Sequence, residues 1–350
     1  MFMQRQIART KIIVSVTSNI DALLSQDTSI APKGRSVDLV LPKSAGQIRR
    51  SRDYRVYLPA GYDGQTAMPM VMALHGCKQS HLEIQVVAGL DRIADREGFI
   101  VVYPSITSHT AFRSRNCWGW WMHRQRIRGS GEVGDLLQIV SAVSRDYAID
   151  QDRLHVCGLS AGAAMSVVAL ANYSDVWKSG ASVAGLAFGE SARAVKYAKF
   201  VPVKYKPIMM LNRLLKRALV CEAPDLLIIQ SAADKQVDLK ASEILAQTWR
   251  TATSLSDEPT ETASGKTQNT PWRYAQYADN EGRVRLGYFT VEGIKHGWIG
   301  GNAGKYSTTE GPNVSELICA FFSASQQALS PVESYCRPLV AQEQHLSVLR

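Results

Sequence analysis

Residues 153–165, with the sequence RLHVCGLSAGAAM, contain the pattern from which the architecture of the chain is best inferred. The apolar first half is typical of a buried β-strand, and the alanine-rich second half is typical of a helix. Between them lies Ser160, flanked by Gly158 and Gly162 in the pattern G-x-S-x-G. This pattern needs small residues because strand and helix cross closely at a sharp turn. The stretch therefore predicts a nucleophile elbow, in which a strained turn exposes a serine hydroxyl at a helix N-terminus.

Apolar segments alternate with helical patterns on both sides of this elbow. The predicted strands are 54–58, 70–74, 99–103, 181–185, 226–230 and 283–291, and the predicted helices are 82–97, 133–147, 239–250 and 313–324. A Ser/Thr/Glu-rich connection is predicted up to about residue 270. Strands that alternate with helices form a mostly parallel sheet with helices on both faces. The predicted fold class is therefore α/β, with the α/β-hydrolase fold.

The chain has 350 residues, which is enough for one large α/β domain with extensions. We expect residues 51–328 to form the α/β-hydrolase catalytic domain. Residues 1–50 are polar and weakly patterned, so they predict an irregular N-terminal extension, and residues 329–350 predict a C-terminal tail. The basic segment 186–223 interrupts the alternation of strands and helices, which favours a lid or an insertion there.

The composition, with 45% hydrophobic and 20% charged residues, is typical of a folded globular protein and excludes disorder over most of the length. The formal net charge is +9, but the basic residues are scattered and form no recognisable nucleic-acid-binding module. We therefore expect a solvated basic surface and no nucleic-acid partner. A basic binding protein without catalysis is the alternative from a different functional class.

No stretch approaches the length of a transmembrane helix, so no membrane span is predicted. In the first part of the chain the only apolar run is residues 12–14, which is too short for the core of a signal peptide. As written, the chain is predicted to be cytoplasmic, and its oligomeric state is left open.

A serine hydroxyl is a weak nucleophile at neutral pH, so Ser160 needs a histidine base and a carboxylate that orients this base. In α/β-hydrolases the acid and then the histidine follow the serine in the chain, at the carboxyl ends of strands. Asp234 and His296 each follow a predicted strand in this order. We therefore predict Ser160 as nucleophile, Asp234 as acid and His296 as base. Asp238 lies in the same loop as Asp234 and is the competing acid.

The oxyanion that develops during acyl transfer needs two preorganised N–H donors. One usually belongs to the residue after the nucleophile and the other to the loop after an early central strand. We therefore predict the backbone amides of Ala161 and Cys77 as the two oxyanion donors. His75 and His155 adjoin apolar strands and are interpreted as structural histidines. The six cysteines include no Cys-x-x-Cys pair, and this chemistry requires neither a metal nor a cofactor.

Six short motifs occur in a specific order along the chain. They are LHGCKQ (74–79), VYP (102–104), NCWGW (116–120), RGSGE (128–132), GLSAG (158–162) and HGWIGG (296–301). Together they resemble the catalytic domain of the polyhydroxybutyrate depolymerase esterases. The ordered set is specific, whereas GLSAG alone is not.

This resemblance implies a serine esterase that hydrolyses short-chain polyhydroxyalkanoate or its oligomers. Relatives with the same fold hydrolyse feruloyl or acetyl esters of plant polysaccharides, so such an esterase, a general short-chain carboxylesterase or a peptidase of this fold are the alternatives. The resemblance gives Ser160, Asp234, His296 and Cys77 the roles predicted above, and it implies a disulfide between Cys77 and Cys117. Members of the family are usually secreted, in contrast to the cytoplasmic prediction.

Three tryptophans are the candidate substrate-binding residues. Trp120 and Trp121 lie in an aromatic and basic loop near the predicted site, and Trp298 follows His296 by two positions. Aromatic side chains at these positions are expected to line an apolar cleft for the acyl group of the substrate. Trp118 fits core packing or the same cleft equally well.

Overall fold

The computed structural model describes residues 20–26, 30–42, 51–106, 116–196, 202–206 and 223–326. The strands are β1 (Arg35–Leu41), β2 (Arg52–Leu58), β3 (Met68–Leu74), β4 (Ile100–Pro104), β5 (Ile149–Leu159), β6 (Ser179–Val183), β7 (Asp225–Ser231), β8 (Glu261–Thr267), β9 (Thr270–Ala278) and β10 (Val284–Val291). The helices are α1 (Ile20–Leu24), α2 (His81–Ala88), α3 (Leu90–Glu97), α4 (Gly131–Asp146), α5 (Ala161–Asn172), α6 (Leu239–Thr253) and α7 (Val314–Gln326).

Within these ranges the strands form one ten-stranded sheet in the order β1-β2-β4-β3-β5-β6-β7-β10-β9-β8. The central strands from β4 to β10 pair in parallel, whereas β1, β2, β9 and β8 pair antiparallel at the two sides. One apolar core lies between the sheet and α4, α5 and α6, and a second lies between the opposite face and α1, α2, α3 and α7. The predicted α/β-hydrolase fold, with a mostly parallel sheet covered on both faces, is therefore confirmed.

Strand β5 shows why the central strands are continuously apolar. Its side chains alternate between the two cores, with Leu154 and Val156 in the first and Cys157 and Leu159 in the second. A strand that is buried on both faces is mostly apolar on both, so the pattern becomes a run rather than an alternation.

The predicted helix 82–97 is two helices, because Gly89 breaks it. Gly89 has a φ of 60° and caps the end of α2 in the left-handed conformation before α3 begins. Glycine adopts this conformation without the steric cost that other residues have. At the start of α2, the Ser80 hydroxyl accepts from the Glu83 amide while the Glu83 carboxylate accepts from the Ser80 amide.

The prediction missed regular structure near both sides of the sheet. Residues 1–50 were expected to be irregular, but they contain α1 and also β1, which pairs with β2 along its whole length. The Ser/Thr/Glu-rich connection contains β8, which forms a hairpin with β9 through Gln268 and Asn269, both with positive φ. Outer strands are half exposed and short of apolar residues, so they give a weak sequence pattern.

Other parts of the predicted domain plan lie outside the described residues. These parts include residues 329–350 and, within the predicted lid or insertion, residues 197–201 and 207–222. Of the helices in the described ranges, none is both long enough and apolar enough to cross a lipid bilayer.

The crossing of β5 and α5 requires glycine at two positions. A Cβ added at Gly162 would lie 2.2 Å from the carbonyl oxygen of Leu74, and a Cβ added at Gly158 would lie 2.5 Å from the carbonyl carbon of Gly162. Both contacts are with backbone atoms, which cannot rotate away as a side chain can. We therefore expect Gly162→Ala to lower the free energy of unfolding by about 1–3 kcal/mol, measured by urea denaturation.

Gly61→Ala is the matched control for that substitution, because a Cβ at Gly61 meets no atom within 4 Å. It should leave the unfolding free energy nearly unchanged. Equal stability of the two variants would contradict the close crossing.

The burial of His155 predicts that the stability of the protein depends on pH. It is fully buried, its Nδ1 lies 2.8 Å from the Ser179 hydroxyl, and its ring stacks on Phe322. Burial lowers its pKa from 6.5 to about 3. Between these values the unfolded chain binds a proton that the folded chain does not, so stability is lost as the pH falls below 6.5. This group alone should lower the unfolding free energy by about 2 kcal/mol between pH 7 and pH 5.

The measurement is urea denaturation of the parent chain and of His155→Gln at both pH values. The difference in unfolding free energy between pH 7 and pH 5 should be about 2 kcal/mol smaller in the variant, because the titrating group is gone. An identical pH dependence in the two proteins would show that His155 is not held neutral by the fold.

Candidate active site

The predicted site residues follow strands that run in the same direction. Ser160 comes directly after β5, Asp234 comes three residues after β7, and His296 comes five residues after β10. Strand β6 lies between β5 and β7, and β10 is the next strand beyond β7. Because these strands are parallel, their carboxyl ends meet at one edge of the sheet. All three residues therefore belong to the loops at that edge.

Ser160 has a backbone conformation that few residues other than glycine adopt. Its φ is 57° and its ψ is −115°, so the turn between β5 and α5 is strained. The Ser160 amide donates to the Val183 carbonyl at 2.8 Å, and the Ser160 carbonyl accepts from the Ala164 amide at 2.9 Å. These bonds fix the backbone on both sides. The side chain is half-buried at the N-terminus of α5, where the helix dipole favours negative charge.

The structure brings Asp234 and His296 into contact. His296 Nδ1 lies 2.6 Å from Asp234 Oδ2, and the two side chains are 7% and 1% exposed. With Nδ1 donating its proton to the carboxylate, Nε2 of the neutral ring is left as a proton acceptor. In the part of the chain that the structure describes, no hydrogen bond joins the Ser160 hydroxyl to His296. Such a bond is often long in the absence of substrate.

The Asp234 carboxylate is held as an acceptor by several donors. Its Oδ1 accepts from the amides of Gln236 and Val237 at 2.7 and 2.9 Å, and its Oδ2 also accepts from Gln230 Nε2 at 3.3 Å. An ionised carboxylate is the form that accepts all of these bonds together with the one from His296. Gln230 was missed from sequence, although a glutamine at the end of the apolar strand LLIIQ was a usable signal.

Asp238, the competing acid, has a different place in the fold. It is exposed and caps α6, where its carboxylate accepts from the Lys240 amide at 2.9 Å. The geometry therefore pairs His296 with Asp234 and leaves Asp238 as a helix cap.

The loops that carry Asp234 and His296 are joined to each other. The Ser231 hydroxyl donates to the Ile294 carbonyl at 2.5 Å, and the Ala232 amide donates to the Val291 carbonyl at 2.8 Å. The contact between base and acid thus rests on two loops that are hydrogen-bonded to each other.

Among the described residues, the loop after β3 leaves the Cys77 amide without a hydrogen-bond partner. The Gly76 amide donates to Gln79 Oε1, the Lys78 amide to the Asn116 carbonyl, and the Gln79 amide to the Gly76 carbonyl. Among the described residues, no hydrogen-bond partner is formed by the amide of Cys77 or by that of Ala161, the first residue of α5. Two N–H groups are therefore free to bind an anion.

Cys77 is tied to the loop that contains the tryptophans. A disulfide joins Cys77 to Cys117. The Trp118 indole donates to the carbonyl of His75 at 3.0 Å, and Trp118 is 1% exposed. Trp118 is therefore a packing residue that supports the loop after β3.

The three candidate substrate-binding tryptophans differ in accessibility. Trp121 is half-buried and meets Trp120 edge to face at 5.3 Å, whereas Trp120 is only 3% exposed. Trp298 is fully buried, and its indole donates to the Ser315 hydroxyl at 2.9 Å. The expectation that Trp298 contacts substrate is corrected here, because its ring packs in the core between the sheet and α7.

Glu132 was also missed from sequence. This residue of α4 is 1% exposed, and its Oε2 accepts from the Gly119 amide at 2.6 Å. The bond anchors the tryptophan loop to α4, in the RGSGE motif noted above.

Comparisons with known proteins agree with the motifs. Residues 52–207 match the family described as esterase PHB depolymerase. Poly(3-hydroxyalkanoate) depolymerase C of Paucimonas lemoignei is 35% identical over 129 residues, which are 37% of this chain and 30% of that relative. Feruloyl esterase B of Thermothelomyces thermophilus is 35% identical over 150 residues, which are 42% of this chain and 48% of that relative. The chain thus spans less than half the length of these two relatives.

Among solved structures, the acetyl xylan esterase from Aspergillus awamori has a TM-score of 0.58 and 17% identity, covering 75% of this chain and 94% of that one. This likeness concerns the fold alone. The family match contains Ser160 and the loop after β3 but ends before Asp234 and His296, whose contact rests on the geometry above. Over residues 52–207 the chain is thus similar to the esterase PHB depolymerase family, and the motif HGWIGG (296–301) lies beyond this match.

Proposed function

We propose that this protein hydrolyses carboxylic esters through an acyl-enzyme formed on Ser160. The observation that carries the proposal is the contact of His296 Nδ1 with Asp234 Oδ2 at 2.6 Å, at the sheet edge where the strained turn presents Ser160. A histidine oriented by a buried carboxylate is the arrangement that serine acyl transfer requires.

In the first half of the reaction, Ser160 Oγ forms a bond to the ester carbonyl carbon while His296 Nε2 takes the hydroxyl proton. The carbonyl oxygen becomes an oxyanion and accepts from the amides of Cys77 and Ala161. The bond from carbon to the alcohol oxygen then breaks, and His296 gives its proton to the leaving alcohol. The acyl group is left on Ser160.

In the second half, a water molecule takes the place of the alcohol. His296 accepts a proton from this water as its oxygen attacks the acyl carbon, and the same two amides receive the oxyanion. The bond to Ser160 Oγ breaks, the proton returns to the serine, and the carboxylic acid leaves. Asp234 stays ionised and stabilises the imidazolium in both halves.

For the substrate, we propose an ester of short-chain polyhydroxyalkanoate or one of its oligomers. The match of residues 52–207 to the esterase PHB depolymerase family and the likeness to a depolymerase over 129 residues support this choice. The adjoining rings of Trp120 and Trp121 support it as well, because an apolar acyl chain binds to apolar surface. We assign Trp121, the more accessible of the two, as the ring that meets the acyl chain.

A feruloyl or acetyl-polysaccharide esterase is the second candidate function. The likeness to a feruloyl esterase over 150 residues supports it equally. A half-buried indole such as that of Trp121 would also stack on the aromatic ring of a feruloyl group. The mechanism is the same for both candidates, and only the acyl and alcohol groups differ.

The experiment that tests this proposal compares polyhydroxybutyrate film, its soluble dimer ester and methyl ferulate as substrates. We expect the parent chain to hydrolyse the dimer with a higher kcat/KM than methyl ferulate. Ser160→Ala should lose at least about 10⁴-fold in kcat on every substrate while keeping the same unfolding curve. A preference for methyl ferulate would favour the second candidate, and unchanged turnover by Ser160→Ala would rule out the mechanism.

A pair of substitutions tests the assigned acid. Asp234→Asn should lower kcat by about 10⁴-fold, because an amide in place of the carboxylate favours the wrong histidine tautomer. Asp238→Asn should change kcat little, because asparagine caps a helix nearly as well as aspartate. Ester hydrolysis by the two purified variants is the measurement, and a larger loss in Asp238→Asn would reverse the assignment.

A further inference from the structure

We propose that His75 is a positioning residue whose ring aims the Cys77 N–H at the oxyanion. This inference rests on the proposed function, since an oxyanion forms only if an acyl group is transferred. His75 is the residue that the sequence placed among structural histidines. The structure shows that its ring is bonded to the peptide unit that carries the Cys77 amide.

Both ring nitrogens of His75 have a backbone partner. The Ile106 amide donates to Nε2 at 3.1 Å, so Nε2 is an acceptor and carries no proton. The proton of the neutral ring is therefore on Nδ1, which lies 2.8 Å from the Gly76 carbonyl oxygen. Nδ1 then donates to this carbonyl, and the tautomer is fixed by the two bonds together.

The Gly76 carbonyl and the Cys77 N–H belong to the same peptide plane. A trans peptide is rigid, and its C=O and N–H bonds point in opposite directions. A donor that holds the Gly76 oxygen therefore also sets the direction of the Cys77 N–H. The Gln79 backbone amide donates to the same oxygen at 3.2 Å, so this carbonyl is held by two donors. The N–H on the other side of the peptide has no partner within the ranges that the structure describes.

The surroundings keep the His75 ring in place. The residue is fully buried, and its ring centre lies 5.5 Å from that of Trp118. Trp118 also donates to the His75 carbonyl. Burial lowers the pKa of His75 to about 4, so the ring is neutral at neutral pH and its Nε2 remains the acceptor for Ile106. A buried ring that is bonded at both nitrogens has a fixed orientation, and it therefore fixes the peptide to which Nδ1 is bonded.

His155 is the matched comparison within this protein. It is equally buried, but its Nδ1 meets the Ser179 side chain, and its position in β5 is paired with β3 and β6. The bond given for its ring is to a side chain, not to the peptide unit of Cys77 or of Ala161. A substitution of His155 thus reports what the loss of a buried histidine does to the fold alone.

The experiment compares His75→Asn with His75→Gln. Asparagine places an amide N–H close to the position of Nδ1, whereas glutamine reaches the position of Nε2 but not that of Nδ1. We expect His75→Gln to lose about 10²-fold in kcat on the dimer ester with little change in KM, as when one oxyanion donor is removed. His75→Asn should recover at least tenfold of this loss, and His155→Asn should keep the kcat of the parent chain.

A second measurement reads the oxyanion site without turnover. A boronic acid that adds to Ser160 carries a negatively charged oxygen where the oxyanion forms. Across the parent chain, His75→Asn and His75→Gln, its inhibition constant should therefore rise in proportion to the fall in kcat. Urea denaturation shows which variants are folded, and only the folded ones are compared.

The outcomes separate the two proposals. A parent chain that hydrolyses none of the esters would overturn the proposed function itself. An active parent chain with equal kcat in His75→Asn and His75→Gln would overturn only the role of His75. If the loss of kcat only parallels the loss of unfolding free energy, and His155→Asn shows the same loss, the role of His75 is purely structural. If His75→Gln does not fold, His75→Asn still decides, because a folded His75→Asn that binds the boronic acid about 10²-fold more weakly than the parent chain would overturn the role of His75.

Discussion

The close crossing of β5 and α5 is the constraint on which the rest of the site depends. With glycine at positions 158 and 162, the start of α5 approaches the carbonyls of Leu74 and His75 to distances that no side chain would allow. This approach sets the strained turn at Ser160 beside the loop after β3. The nucleophile and both unpaired amides therefore belong to one small region because two glycines permit backbone to meet backbone.

The base and the acid depend on a different property of the fold, the parallel order of β5, β6, β7 and β10. Parallel strands deliver their following loops to the same edge, whatever the distance between them in the chain. The loops after β7 and β10 are then joined by the Ser231 bond to Ile294, and this junction holds His296 against Asp234. The elbow determines where attack occurs, and the sheet order determines which residues assist it.

These two constraints, the elbow and the parallel order of the strands, explain how much could be predicted from sequence. Central strands are apolar on both faces, so their positions were predicted, and with them the strand ends that carry Asp234 and His296. Strands β1 and β8 are half exposed at the sides of the sheet and were missed. Sequence spacing alone left Asp238 as a competitor, because two carboxylates four residues apart in one loop differ only in the contacts they make. Trp298 was wrongly predicted to bind substrate for a similar reason. Its position two residues after His296 does not show whether its ring is exposed or buried.

Buried polar side chains complete the site, because they hold the loops that carry its residues. Gln79, Glu132 and Gln230 are each almost completely buried, and each bonds a loop that carries a site residue. Because the groups on both sides of the Cys77 amide are already bonded, its peptide unit is held in one orientation. The donor is therefore in place before negative charge develops.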